Sequence, residues 1–145
     1  MKESKSYIPS DEYGLARTAA GFGEVTISPI HAASMMATVA NGGNLVKPVL
    51  VDQVANGSGK ILYRSSPEYI TTGLKPSTAK TLMEMMHATT ISGTSRKEFN
   101  RTGKILGSIP VVGKTGTLKG KNPVGLNRWF IGAAPMKNPE IVIAV

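Results

Sequence analysis

This sequence predicts an α/β architecture of the α+β type, an antiparallel sheet with flanking helices. Two segments carry apolar residues at helical spacing behind Ser/Pro start signals, and a hairpin pattern separates them. The last third alternates short apolar runs with turn residues.

The first helix is read from Ser28, a good N-cap, and Pro29, whose fixed φ suits the first helical position. Ile30, Ala33, Met36, Ala37 and Ala40 then recur on one face until Asn41-Gly42-Gly43 stops the pattern, which predicts a helix over 29–40. The second follows Pro76, with Ser77 as its cap, Leu82, Met85, Met86 and Thr89 as its apolar stripe and Ser92-Gly93-Thr94 as its end, which predicts 77–91. Between them, Leu45 to Val54 is interrupted by Pro48 and followed by Ala55-Asn56-Gly57-Ser58-Gly59 and Lys60 to Arg64. That order reads as a hairpin whose first strand lies at an edge or bends at the proline. Beyond residue 108, the runs Ile109–Thr117, Arg128–Ala134 and Ile141–Val145 are expected to form an antiparallel meander. Its connections are a Gly/Lys/Asn/Pro stretch over 119–125 and a turn over 136–140. Residues 1–13 are polar and Ser-rich and read as a leading loop, within a leading segment over 1–18.

A length of 145 residues with 41% hydrophobic side chains allows one domain or part of one. The absence of cysteine excludes a disulfide framework, a zinc-thiolate site and a thiol nucleophile. Seventeen Lys and Arg against nine Asp and Glu give a net charge of +8, so the surface should attract anions. These cations are scattered, with one loose cluster at Lys114, Lys119, Lys121 and Arg128, so no polyanion-binding tail is expected. No run of 18 apolar residues and no signal-peptide pattern occurs, so any membrane attachment is expected to use a segment outside this chain. The final strand stops with apolar residues still running, as if the sheet were cut. His31 and His87 lie far apart without a carboxylate pattern and read as helix residues, so no metal and no cofactor are expected. The methionines at 35, 36, 83, 85 and 86 read as core, and Trp129 and Phe130 as residues packing sheet against helix.

The strongest chemical signal is Val111-Val112-Gly113-Lys114-Thr115-Gly116-Thr117. An apolar strand here delivers an ammonium, two hydroxyls and a glycine. Lys114 and Gly116 share one face and Thr115 and Thr117 the other, unless Gly116 permits a bulge. Such a strand can offer charge, hydroxyl donors and a free main-chain N–H to a carboxylate or a developing oxyanion. The blander account is a half-buried strand with ordinary polar side chains on its outer face.

The surrounding order decides between these. Ala20-Gly21-Phe22-Gly23-Glu24-Val25-Thr26-Ile27-Ser28-Pro29-Ile30-His31, Ala40-Asn41-Gly42-Gly43, the hairpin after Lys47-Pro48 and the helix from Met85-Met86 to Gly93-Thr94 precede the strand. Asn127-Arg128-Trp129-Phe130-Ile131-Gly132-Ala133-Ala134-Pro135 and Asn138-Pro139-Glu140-Ile141 follow it. Together with the Lys-Thr-Gly run, this resembles the C-terminal part of the transpeptidase domain of class B penicillin-binding proteins, from about Ala19 to Val145. The resemblance implies a partial penicillin-binding/serine β-lactamase-like transpeptidase fold over 1–145. In that family a serine of a Ser-x-x-Lys motif attacks the D-Ala-D-Ala bond of a peptidoglycan stem peptide, and the acyl group passes to an amine of a second strand. β-Lactam antibiotics acylate the same serine.

Carried onto matching positions, the resemblance makes Lys114 and Thr117 catalytic, Lys114 through its charge and proton traffic and Thr117 through an oxyanion N–H. Thr115, Gly116 and Thr117 would bind substrate, the hydroxyls holding its carboxylate and Gly116 keeping the strand edge bare. The implied setting is the extracytoplasmic face of the membrane (the periplasm), reached by an upstream anchor, in cell-wall synthesis for growth or division. The family's Ser-x-Asn is absent, and its nucleophile motif is expected upstream of this chain. The one literal match, Ser77-Thr78-Ala79-Lys80, lies 37 residues before Lys114 and reads as a decoy, with Ser77 a cap and Lys80 solvated. The chain alone is therefore expected to be inactive, and its exposed sheet edges to allow pairing with another copy.

Three alternatives are weighed. A serine β-lactamase-related hydrolase shares the motifs, and the residues that separate hydrolysis from transfer are not in this chain. A non-catalytic module binding anions or nucleic acid follows from the charge alone, but the aromatics are not interleaved with the cations, so no nucleic acid is expected. A P-loop over 107–115 fails by one residue in its glycine spacing and lacks a following helix pattern.

Overall fold

The structure is a computed structural model and describes residues 4–100, 108–121 and 124–145. Among the described residues the elements run β1 (Lys5–Tyr7), α1 (Glu12–Ala19), β2 (Glu24–Thr26), α2 (Pro29–Ala40), β3 (Asn44–Val46), β4 (Gln53–Ala55), β5 (Ile61–Arg64), β6 (Tyr69–Thr72), α3 (Pro76–Ile91), β7 (Val112–Lys121), β8 (Val124–Ala134) and β9 (Ile141–Ala144), with residues 96–100 also helical.

Helix α2 begins and ends where its punctuation predicts. The Ser28 hydroxyl accepts the His31 amide at 3.3 Å, Pro29 occupies the first turn, and the chain turns at Gly42 and Gly43 with φ of 64° and 99°. Glycine is required at 43, because a side chain there would also strike the Leu74 carbonyl.

Helix α3 also lies as predicted, with one correction at its start. Lys75 is the N-cap and makes no side-chain capping bond, so Ser77 sits inside the first turn and is not the cap. Pro76 at the first position already removes one orphan N–H, which lessens the need for a capping side chain. The apolar stripe is also rotated. Ala79, Met83 and Thr90 are buried, while Met85 is 62% exposed. The rotation follows from Thr90, a polar residue buried because its hydroxyl is spent on the neighbouring strand.

The last three strands form the predicted antiparallel meander, in the order β7-β8-β9. Pairing of β7 with β8 runs without a register shift from Val112↔Ala133 to Lys121↔Val124. The strands extend into the stretch read as a connection over 119–125, of which 122–123 lie outside the described residues. Asn138, at φ 52°, bends the turn between β8 and β9, a conformation asparagine tolerates. Val112, Ala133, Ile131 and Val142 share the sheet face that meets Met36 of α2 and Met83 of α3, which makes the small core. Phe130 takes the opposite face and lies over Gly113 and Gly132, where a Cβ would collide with its ring. It also meets Phe99 at 5.9 Å between ring centroids.

Two segments depart from the sequence reading. The leading loop expected over 1–13, of which 1–3 lie outside the described residues, is no simple loop over 4–13, since β1 pairs antiparallel with β2, and Asp11 caps α1 through a 2.8 Å bond from the Gly14 amide. These elements were illegible because three-residue strands and a one-sided eight-residue helix carry too little periodicity. Leu45–Val54 does not form a single hairpin strand either. The chain leaves the strand conformation at Lys47-Pro48, so β3 pairs with β6, and only β4 and β5 form the hairpin.

Candidate functional site

Lys114, Thr115, Gly116 and Thr117 all lie on β7, an edge strand whose only partner among the described residues is β8. The unbroken register puts Lys114 and Gly116 on one face, opposite Ile131 and Trp129. Thr115 and Thr117 fall on the other, opposite Phe130 and Arg128.

The free edge of β7 is closed at one end and open at the other. The Val111 carbonyl accepts from Thr90 Oγ1 at 2.8 Å and lies 3.1 Å from His87 Nδ1, which must carry the ring proton to donate there. Thr89 Oγ1 donates to the Gly113 carbonyl, and Lys114 Nζ donates to the Thr115 carbonyl at 2.6 Å. Odd-numbered residues therefore turn their main-chain groups away from β8. By the same two-residue alternation the Thr117 N–H and C=O face the open edge. Helix α3 seals this edge up to Gly113. Beyond α3, the Thr94 hydroxyl meets the Thr115 hydroxyl at 3.0 Å.

Lys114, Gly116 and Thr117 are exposed and Thr115 is half-buried, so the strand offers its polar groups to solvent. A Cβ at Gly116 would meet nothing nearer than Trp129 Cβ at 3.7 Å, so packing alone does not require glycine there. Next to Thr117 opens a groove of about 860 Å³ between α1 and the outer half of β7, with Arg17, Phe22, Leu118 and Lys119 among its walls. Sequence reasoning missed Thr89, Thr90, Thr94 and Arg17. Only the i, i+3 spacing of His87 and Thr90 could have hinted that one face of α3 grips a strand.

Ser77 stays apart from this site. Thr89, which contacts Gly113, is twelve residues further along α3, about 18 Å at 1.5 Å per residue. Lys80 is exposed and faces Glu84 at 4.0 Å. The strand continues past Thr115 to Lys121, so no helix follows the Gly-Lys-Thr run as a phosphate-binding loop needs.

The sequence pattern of the penicillin binding protein transpeptidase domain matches residues 1–145. The chain belongs to that family. This transpeptidase-domain chain is 28% identical over 138 residues to the peptidoglycan D,D-transpeptidase PbpA of Mycolicibacterium smegmatis, covering 93% of the chain and 27% of the relative. The crystal structure of PBPA from Mycobacterium tuberculosis superposes with a TM-score of 0.81 at 27% identity, covering 99% of this chain and 33% of that one. The penicillin G acyl-enzyme complex of penicillin-binding protein A from the same organism gives 0.78 at 26% identity, covering 99% and 31%. The chain thus spans about a quarter to a third of the length of these relatives. The transpeptidase-domain fold expected from the sequence is the fold observed.

Proposed function

We propose that residues 114–117 are the carboxylate- and oxyanion-binding wall of a peptidoglycan D,D-transpeptidase. The attacking serine then belongs to polypeptide outside these 145 residues. That serine's Oγ adds to the carbonyl of the penultimate D-Ala, its proton passes to the departing D-Ala amine, and an ester forms. An amine of a second peptide strand then adds to the ester, restoring an amide and freeing the serine. β-Lactams would acylate the same oxygen by opening their ring. The enzyme would work on the outer face of the cytoplasmic membrane, where its substrate lies.

One observation carries this reading: the edge of β7 opens at Thr117, beside an exposed ammonium and two hydroxyls. A peptide carboxylate held by Lys114, Thr115 and Thr117 leaves its scissile carbonyl beside the Thr117 N–H, a donor preorganised where the oxyanion develops. Loss of such a group costs roughly 10²–10³ in rate. In the full-length protein, fluorescent penicillin should label wild type quickly and Lys114→Ala about 10²-fold more slowly. Equal labelling of both would reject the role of Lys114.

A further inference from the structure

We infer that the groove beside Thr117 is a subsite that reads a carboxylate on the donor peptide, upstream of its D-Ala pair, through Arg17 and Lys119. The inference rests on the reading of residues 114–117 given above and adds a substrate feature to it.

The fold sets the direction in which a bound peptide runs. With its terminal carboxylate at Lys114 and Thr115, an extended peptide cannot continue toward Val111, because His87, Thr89 and Thr90 of α3 already occupy that edge. It can only run toward Lys119, antiparallel to β7. At about 3.3 Å per residue, the residue before the D-Ala pair lies about 7 Å from the terminal one, where the groove begins at Thr117.

The walls there suit an alkyl chain ending in an anion. Tyr7 and Phe22 are 63% and 62% exposed and Leu118 is 42% exposed, so apolar surface is available. The ionisable cations lining the groove are Arg17 and Lys119, and among the described lining residues no carboxylate opposes them. Arg17 is held in place. Its Nη2 donates to the Phe22 carbonyl at 3.3 Å, and its guanidinium lies 5.7 Å from the Tyr13 ring centroid. One of five N–H donors is thereby used, and among the described residues Arg17 pairs with no acid. A guanidinium fixed at one corner, with its remaining fork unspent, matches a carboxylate.

The test uses the full-length enzyme and two D-Ala-D-Ala donors that differ only at the side chain before the D-Ala pair, one ending in a carboxylate and the other in its carboxamide. Wild type should prefer the carboxylate donor, and Arg17→Gln should lower the kcat/KM ratio of the two donors about tenfold, mainly through KM. An unchanged ratio, or equal losses on both donors, overturns the subsite. Should Arg17→Gln melt early, Lys119→Gln is read by the same ratio and must also lower it. Penicillin labelling of wild type against Lys114→Ala tests residues 114–117 separately, so the groove can fail while that reading stands.

Discussion

Thr94 Oγ1 lies 3.0 Å from Thr115 Oγ1, joining the Gly-Thr pair that follows α3 to the second residue of the Lys-Thr-Gly run. Two segments 21 residues apart thus share one hydroxyl contact at the mouth of the open edge. Because a hydroxyl both donates and accepts, Thr94 can set which way the Thr115 proton points.

Thr94→Val keeps the shape and removes that contact. Acylation by penicillin in the full-length protein should slow by about three- to tenfold, the worth of one ordinary hydrogen bond. Thr94→Ser should restore it. A Val variant that acylates at the wild-type rate would show that Thr115 is oriented without Thr94.

Gly113 and Gly116 should respond in opposite ways. A methyl at 113 enters the Phe130 ring, so Gly113→Ala should cost about 1–3 kcal/mol of stability, read as a lower melting temperature. At 116 the methyl finds ordinary contact with Trp129, so Gly116→Ala should melt within about 0.5 kcal/mol of wild type while acylating more slowly. A Gly116→Ala protein with full acylation would remove the argument that the edge must be bare.

The isolated 145-residue chain should not be labelled by fluorescent penicillin, since Ser77 stands about 18 Å along α3 from the residue that contacts β7. Labelling that disappears in Ser77→Ala would instead make Ser77 the nucleophile.

Lys47 Nζ donates to Glu68 at 2.8 Å, and this hydrogen bond, followed by the charge attraction, holds the ammonium above its ordinary pKa. A pKa raised on folding stabilises the folded state fully below the unfolded lysine value, and the contribution fades as pH rises through the folded one. Both side chains are exposed, so the effect on melting should be small. An NMR titration of Lys47 should show its midpoint falling in Glu68→Gln. An unmoved midpoint would deny the coupling.

Local chemistry alone determined α2, α3 and the motif. Ser28-Pro29, Pro76 and the glycines after Ala40 act within a few residues, so α2 and α3 were legible to within a residue at each end. The placement of the three polar side chains of 114–117 on two faces followed from strand geometry, given that no bulge intervened. Only the tertiary structure decided which edge of β7 is free and where it opens. That depends on hydroxyls of α3 more than twenty residues away reaching the carbonyls of Val111 and Gly113, and on α1 arriving beside Thr117. A polar residue such as Thr90 reads as surface in a sequence and becomes interior once a distant carbonyl accepts its proton. Pairing of β3 with β6 was hidden for a related reason, since two short strands more than twenty residues apart carry no local mark of their partner.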